Sequence, residues 1–344
     1  MLESFYPVTA IIFMTVLSMV FILFTACFYI FYISLLSVHR LYLTPHSLTN
    51  RYKVNKQMLN KKSLVAFLTI AIIGIAAMAL GCTSPTPTAT PLPNASPTAA
   101  PVSGTIKVVG STSVQPYATD LSDKFTEKYP NAIAQVSGGG SGAGIKAAQD
   151  GTAQIGMSSR ELTQAEKDSG LKETVIAYDG IAIVVNNANA VSDLTTAQIK
   201  DIFAGNITNW KDVGGSDAAI TVVTREAGSG TRTAFQEIVM GKVNITTGAV
   251  VQSSTGGITQ TVAGDRNAIG YISYGSLDNS VKALKVNGVV PSTSTIKDKT
   301  YKIQRPFLYV TKGEPTDAVA RAFIAFTLSP EGQAILASGK LVTV

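Results

Sequence analysis

Hydrophobic positions follow two regimes along this chain. Residues 7–38 form an almost uncharged apolar run and residues 63–81 a second, whereas from Gly104 onward apolar and polar positions alternate over short distances. The first run exceeds the roughly 20 residues that carry a helix across a bilayer. In the later part, β-branched runs predict strands over 105–110, 133–137 and 220–224, with a long extended run over 174–186 interrupted at Asp179-Gly180. Amphipathic stretches predict helices over 114–129, 144–149, 195–203, 231–240, 318–327 and 331–338. Strands alternating with helices are the pattern of an α/β fold whose sheets are covered on both faces.

Between the regimes, residues 83–103 hold no charge and are rich in Pro, Thr, Ala and Ser. Such a stretch cannot bury a core and is expected to be a disordered tether. The second apolar run is preceded by Lys61 and Lys62 and closes on small residues before Cys82, the layout of a secretory signal. Its ending, Ala79-Leu80-Gly81-Cys82, resembles a bacterial or archaeal lipoprotein box, which implies that Cys82 becomes the lipidated first residue. The alternative is a plain transmembrane helix, and under either reading the remainder faces outside. Two readings stand for residues 1–57. Met58 opens a well-formed signal peptide over 58–81, which would make the upstream stretch an over-extended gene start. Otherwise residues 1–57 hold an extra membrane segment, with His39, Arg40, Arg51, Lys53 and Lys56 on its cytoplasmic side.

Charge changes meaning once the leader is set aside. The chain carries 28 basic and 22 acidic residues, but six of the basic ones and a single acid precede Cys82. The exported part is therefore close to neutral, which argues against a nucleic-acid partner. Cysteine occurs only at 27 and 82 and histidine only at 39 and 46. An exported part with one cysteine, at its first position, and no histidine cannot hold a disulfide framework, a Cys/His zinc site or a Ser-His-Asp triad. No catalytic residue, metal or cofactor is expected.

Three segments share one design, a strand leading through a Ser/Thr/Gly turn into a helix. They are Gly110-Ser111-Thr112-Ser113, Gly138-Gly139-Gly140-Ser141-Gly142-Ala143-Gly144 and Gly228-Ser229-Gly230-Thr231. Helix starts leave backbone N–H groups unpaired and carry partial positive charge, so they attract anions, and hydroxyls add short donors. Each turn by itself is equally a helix cap. Arg225, just before the third turn, adds a guanidinium able to fork onto an oxyanion; the bland alternative is a surface ion pair with Glu226. Arg160, in Ser158-Ser159-Arg160-Glu161, lies between these roles, and Arg232 is expected on a helix surface. The third turn is no Walker loop, because Gly230-Thr231-Arg232 stands where Gly-Lys-Ser/Thr is required.

In the order GSTSVQP, GGGSGAGIKA, IGMSSREL, DGIAIVVN, IFAGNITNW, REAGSGTR, IGYISYG and LSPEGQ, residues 104–344 resemble the substrate-binding lipoproteins of the high-affinity phosphate ABC transporter, the PstS-like family. The resemblance implies a two-lobed type II periplasmic binding protein fold, with residues 104–181 plus 305–344 as one lobe and 182–304 as the other, each a mixed sheet flanked by helices. It implies a monomeric receptor that is not an enzyme, takes inorganic phosphate and passes it to permease subunits from the outer face of the membrane. Carried over, Thr112, Ser113 and Ser141 would bind phosphate from one lobe and Arg225, Ser229, Gly230 and Thr231 from the other, with Ser111, Ser159 and Arg160 as additional candidates. In some members a carboxylate follows the serine of the IGMSSREL segment and accepts the phosphate proton. This chain has Ser159 there, and Asp179 is the candidate replacement, its alternative role being a turn former before Gly180. Rival readings are a binding protein for sulfate or molybdate and a serine-dependent phosphatase or hydrolase using Ser141 or Ser229.

Mass spectrometry of membrane-extracted protein is expected to find a mature chain beginning at lipid-modified Cys82. An intact peptide upstream of Met58 would remove the gene-start reading, and an unmodified internal Cys82 the lipoprotein one.

Overall fold

The computed structural model describes residues 102–344. The apolar runs, Cys82 and most of the Pro/Thr-rich tether lie outside them. Among the described residues no helix is long and apolar enough to cross a membrane. In chain order the elements are β1 (Gly104–Gly110), α1 (Gln115–Lys128), β2 (Ala132–Ser137), α2 (Ser141–Asp150), β3 (Ile155–Ser158), α3 (Gln164–Asp168), β4 (Leu171–Asn186), β5 (Asp193–Leu194) and α4 (Thr196–Ala204). There follow β6 (Thr221–Arg225), α5 (Gly230–Phe235), β7 (Val250–Gln252), α6 (Thr255–Gly264), β8 (Ala268–Ser273), β9 (Val281–Ala283), β10 (Lys285–Val286), α7 (Thr293–Lys297), β11 (Gln304–Lys312), α8 (Ala318–Leu328) and α9 (Pro330–Ser338).

Hydrogen bonding orders the main sheet β2-β1-β3-β11-β4-β8-β6-β7, with β9 also on β4, and a separate β10-β5 pair. β1 runs parallel to β2 and β3, β6 runs parallel to β8 and β7, and β11 and β4 are antiparallel to their neighbours. The expected interruption at Asp179-Gly180 is a change of partner instead of a break. β4 stays extended for 16 residues. Its first part, to Gly180, pairs with β11, and from Ile181 it pairs with β8 and then also β9. Asp179 is thus a strand residue opposite Arg305, not a turn former.

Burial changes at the same point. Ala177 packs with Ile106, Leu121, Phe125, Phe307 and Phe323, whereas Ile181 packs with Phe203, Trp210, Phe235 and Tyr271. In the first cluster Phe125 meets Phe323 edge-on at 5.3 Å between centroids; in the second Phe235 stacks on Tyr271 at 4.2 Å. Both arrangements suit the aromatic quadrupole.

Local chemistry explains where the helices begin and end. Pro116 sits in the first turn of α1, where a missing N–H costs nothing, and Tyr117, Ala118, Leu121, Ser122 and Phe125 form its buried face. α4 is bracketed by a Thr195–Gln198 capping box and by Gly205 in the left-handed region. The helix expected over 231–240 starts one residue earlier and widens into a π turn at Gln236–Met240. The Gln236 amide holds that exit by donating to the carbonyls of Gly241 and Val243.

Glycine decides how closely α2 sits on the sheet. A Cβ at Gly144 would overlap the Val109 carbonyl oxygen and lie 2.7 Å from the Gly110 Cα, and one at Gly156 would overlap the Gly144 carbonyl. Backbone therefore presses directly on backbone, fixing the start of α2 beside the ends of β1 and β3. Gly144→Ala is expected to cost about 1–3 kcal/mol of stability through this overlap, measured by urea denaturation; an unchanged midpoint would contradict the close packing.

Candidate anion-binding site

The three Ser/Thr/Gly turns meet at one place. After β1, the Ser111 amide donates to the Met157 carbonyl at 2.9 Å, and the Ser111 hydroxyl donates to the Ser159 Oγ, also at 2.9 Å. The second turn docks through the Gly140 amide on the Gly110 carbonyl (3.0 Å), with Gly140 at a φ of 88° that favours glycine. Ser141, first residue of α2, accepts from the Ser159 amide at 3.1 Å and lies 3.3 Å from the Ser159 hydroxyl. From the third turn, Thr231 Oγ1 reaches Ser113 Oγ at 3.0 Å, while the Gly228 carbonyl accepts from the Gly142 amide at 2.9 Å. A Cβ at Gly230 would collide with the Ser141 hydroxyl and lie 2.8 Å from that of Ser159, so the third turn faces the second with nothing between. Ser229 caps α5, its hydroxyl accepting from the Arg232 amide at 3.3 Å and keeping its own proton to donate.

A fourth turn completes the group. Ser254 caps α6, and Thr255 at its start places its hydroxyl 2.9 Å from Ser113 Oγ and 3.5 Å from Thr112 Oγ1. Sequence reasoning missed it, although Ser253-Ser254-Thr255-Gly256-Gly257 has the composition of the other three. Seven hydroxyls thus gather in two bonded sets, Ser111–Ser159–Ser141 and Thr112–Thr255–Ser113–Thr231, joined by the Ser113 amide donating to Ser111 Oγ at 3.3 Å. The beginnings of α1, α2 and α6 point their partial positive charge at the same region.

Arg225, at the end of β6, joins them. Its side chain is 2% exposed. Nε and Nη2 fork onto Glu226 at 2.8 and 2.9 Å, Nη2 also donates to Thr112 Oγ1 at 3.1 Å, and Nη1 to Thr255 Oγ1 at 3.3 Å. The Glu226 ion pair therefore exists, but the guanidinium is buried among hydroxyls, not spread on the surface. Arg232 also turns inward, Nη1 donating to the Arg225 carbonyl at 2.8 Å.

Asp179 stands one layer behind. Its Oδ2 accepts from Arg305 Nη2 at 3.2 Å and its Oδ1 from the Gly275 amide at 3.3 Å, and Arg305 Nη1 donates to the Ser159 carbonyl at 3.2 Å. Burial pushes the Asp179 carboxyl above the usual carboxylate range, while the Arg305 charge opposes that rise. Arg305 carried no local sequence signal; only the β4–β11 register brings it to Asp179. What these groups can do is hold a tetrahedral anion by many donors. Among the described residues no cluster of His, Cys, Asp and Glu could hold a metal ion, and no base is hydrogen-bonded to Ser141 or Ser229.

Residues 95–331 match the family model of the PBP superfamily domain. The chain is 34% identical over 236 residues to the phosphate-binding protein PstS of Bacillus subtilis, covering 67% of this chain and 77% of that one. Among solved structures it is similar to a putative phosphate ABC transporter substrate-binding protein with bound phosphate from Clostridium perfringens (48% identity, TM-score 0.69, 70% of this chain and 100% of that one). It is also similar to an ABC-type phosphate transport receptor from Vibrio cholerae (38% identity, TM-score 0.60, with the same coverage). The chain belongs to the PBP superfamily, in its PstS-like branch.

One candidate of this PstS-like chain is engaged elsewhere. Arg160 donates from Nη1 and Nη2 to the two carboxylate oxygens of Glu166, each at 2.8 Å, and from Nη1 to the Glu161 carbonyl. The Arg160 guanidinium holds the Glu166 carboxyl down at about 2. A depressed carboxylate stabilises the fold above its unfolded value near 4.5 and loses that contribution as pH falls toward 2. Glu166→Gln is therefore expected to cost on the order of 1–2 kcal/mol at neutral pH, allowing for partial solvent screening. In urea denaturation the deficit should shrink steadily below about pH 4.5, and Arg160→Ala should reproduce it without changing anion affinity.

Proposed function

We propose that this chain is the extracytoplasmic receptor of a phosphate ABC importer, capturing inorganic phosphate at the hydroxyl and guanidinium cradle and delivering it to permease subunits. The observation that carries this reading is the buried Arg225 in contact with Thr112 and Thr255 beside five further hydroxyls. A guanidinium and hydroxyl donors supply the short, charge-assisted bonds an oxyanion needs, and a site removed from water makes them stronger. The C. perfringens relative carries bound phosphate, which supports assigning the same ligand class here.

Thr112, Ser113, Ser141, Arg225, Ser229, Gly230 and Thr231 are the proposed contacts, with Ser159 and Thr255 added to them. Residues 104–181 with 305–344 form one proposed lobe and 182–304 the other, in keeping with the change of packing between Ala177 and Ile181. Phosphate bridging the turns of both lobes would favour their closure, and the permease would favour their separation. A lipidated Cys82 would keep the receptor at the membrane. The protein is not an enzyme under this reading, since binding and release require no bond to the ligand to break.

Calorimetry is expected to show one phosphate bound per chain. Arg225→Ala should weaken binding at least 100-fold, about 3 kcal/mol, because a buried charged donor is lost. Thr231→Val should cost about tenfold, the scale of one neutral hydrogen bond. A folded protein that ignores phosphate, an Arg225→Ala variant of full affinity, or turnover of a chromogenic phosphate ester would each overturn the assignment.

A further inference from the structure

Resting on the reading that the cradle takes phosphate, we infer that Ser159 makes this receptor select tetrahedral oxyanions by shape and not by their proton, so that it accepts phosphate in either ionisation state near neutrality and sulfate beside it. Telling phosphate from sulfate requires an acceptor that rewards the P–OH group and repels an oxyanion lacking one. A carboxylate only accepts; a hydroxyl both donates and accepts.

Each carboxylate near the cradle faces a cationic or amide partner, or solvent, and not a cradle hydroxyl. Glu226 gives one oxygen to Arg225 Nε and the other to Nη2. Asp179 gives one oxygen to Arg305 and the other to the Gly275 amide, and it is Arg305 that bridges it to the Ser159 carbonyl. Glu166 is forked by Arg160, and the Glu161 side chain is exposed. None of these carboxylates is hydrogen-bonded to any of the seven cradle hydroxyls. The remaining charged or titratable neighbours are Arg232, on the Arg225 carbonyl, and Tyr271, whose hydroxyl accepts from the Arg225 amide and lies 2.7 Å from Thr224 Oγ1. No histidine follows position 46 in the sequence.

Ser159 is held so that only its proton is free to turn. Its amide donates to Ser141 Oγ, its carbonyl accepts from Arg305, and its hydroxyl oxygen, 1% exposed as a residue, accepts from Ser111 while facing Ser141 at 3.3 Å. Rotation about the C–O bond lets this hydroxyl donate to a bare oxyanion oxygen or accept from a P–OH. Arg225 pairs with Glu226 and Arg305 with Asp179, so these two ion pairs add no net charge that would favour a dianion strongly over a monoanion.

The test is calorimetric titration of the whole exported chain with phosphate and with sulfate at constant ionic strength, between about pH 6 and about pH 8.5, across the second ionisation of phosphate. The expected result is a phosphate Kd that moves less than about threefold over this range and a preference for phosphate over sulfate below about 100-fold, against the roughly 10⁴-fold or greater rejection that a dedicated hydrogen-bonding site achieves. Ser159→Asp should raise the phosphate-to-sulfate ratio at least about tenfold by supplying the missing acceptor, and Ser159→Ala should weaken both anions by a similar factor. A phosphate-over-sulfate preference of about 100-fold or more in the unaltered protein, or a change of phosphate Kd with pH of about threefold or more, overturns the inference without needing any variant to fold. Failure of every oxyanion to bind would instead remove the phosphate-receptor reading, and this inference with it.

Discussion

A guanidinium shut away from water must have its charge met and its donors occupied, and Arg225 satisfies that demand by drawing several parts of the chain together. The desolvation cost of a buried ion is several kcal/mol unless partners surround it. Glu226 neutralises it from the next position in sequence, while Thr112 and Thr255 reach it from the turns after β1 and β7. Those threonines are in turn fixed by helix starts that need their own first residues in place. Burial of one cation therefore sets where β6 ends, where α6 begins and how far the first turn can move.

The Asp179–Arg305 pair performs a related task in a different layer. It joins β4 to β11 at matched positions just before β4 changes partners, and it reaches the Ser159 carbonyl and the Gly275 amide from there. A pair this deeply buried is weak evidence for added stability, since its attraction mainly offsets its own desolvation. Its clearer effect is geometric. It ties the strand that runs through both hydrophobic clusters to the turn presenting Ser159.

Much of this was legible in the chain. The alternation of β-branched and amphipathic stretches marked most of the helices and several strands, and the Ser/Thr/Gly turns identified most of the residues that meet at the cradle. What escaped had physical causes. The expected interruption at Asp179-Gly180 came from reading two turn-prone residues locally, whereas pairing on both sides keeps them extended. Thr255 was passed over because β7, the strand ahead of it, has only three residues and gives little pattern. Arg305 could not be found locally at all, since its significance depends on a register between strands more than a hundred residues apart. Arg160 stood between an anion ligand and a surface residue in the sequence, and its ion pair was not legible because only the Thr163 cap of α3 brings Glu166 back within its reach.

The contact of α2 with the ends of β1 and β3, backbone against backbone at Gly110, Gly144 and Gly156, divides the cradle by its openness to change. Hydroxyl positions such as 111, 141 and 159 can exchange one side chain for another of similar bulk while the scaffold stays put. The glycine positions offer no such route, because any first carbon atom meets a neighbouring main chain. Descendants of this sequence are therefore free to drift in which anion they favour, but not in where that anion is held.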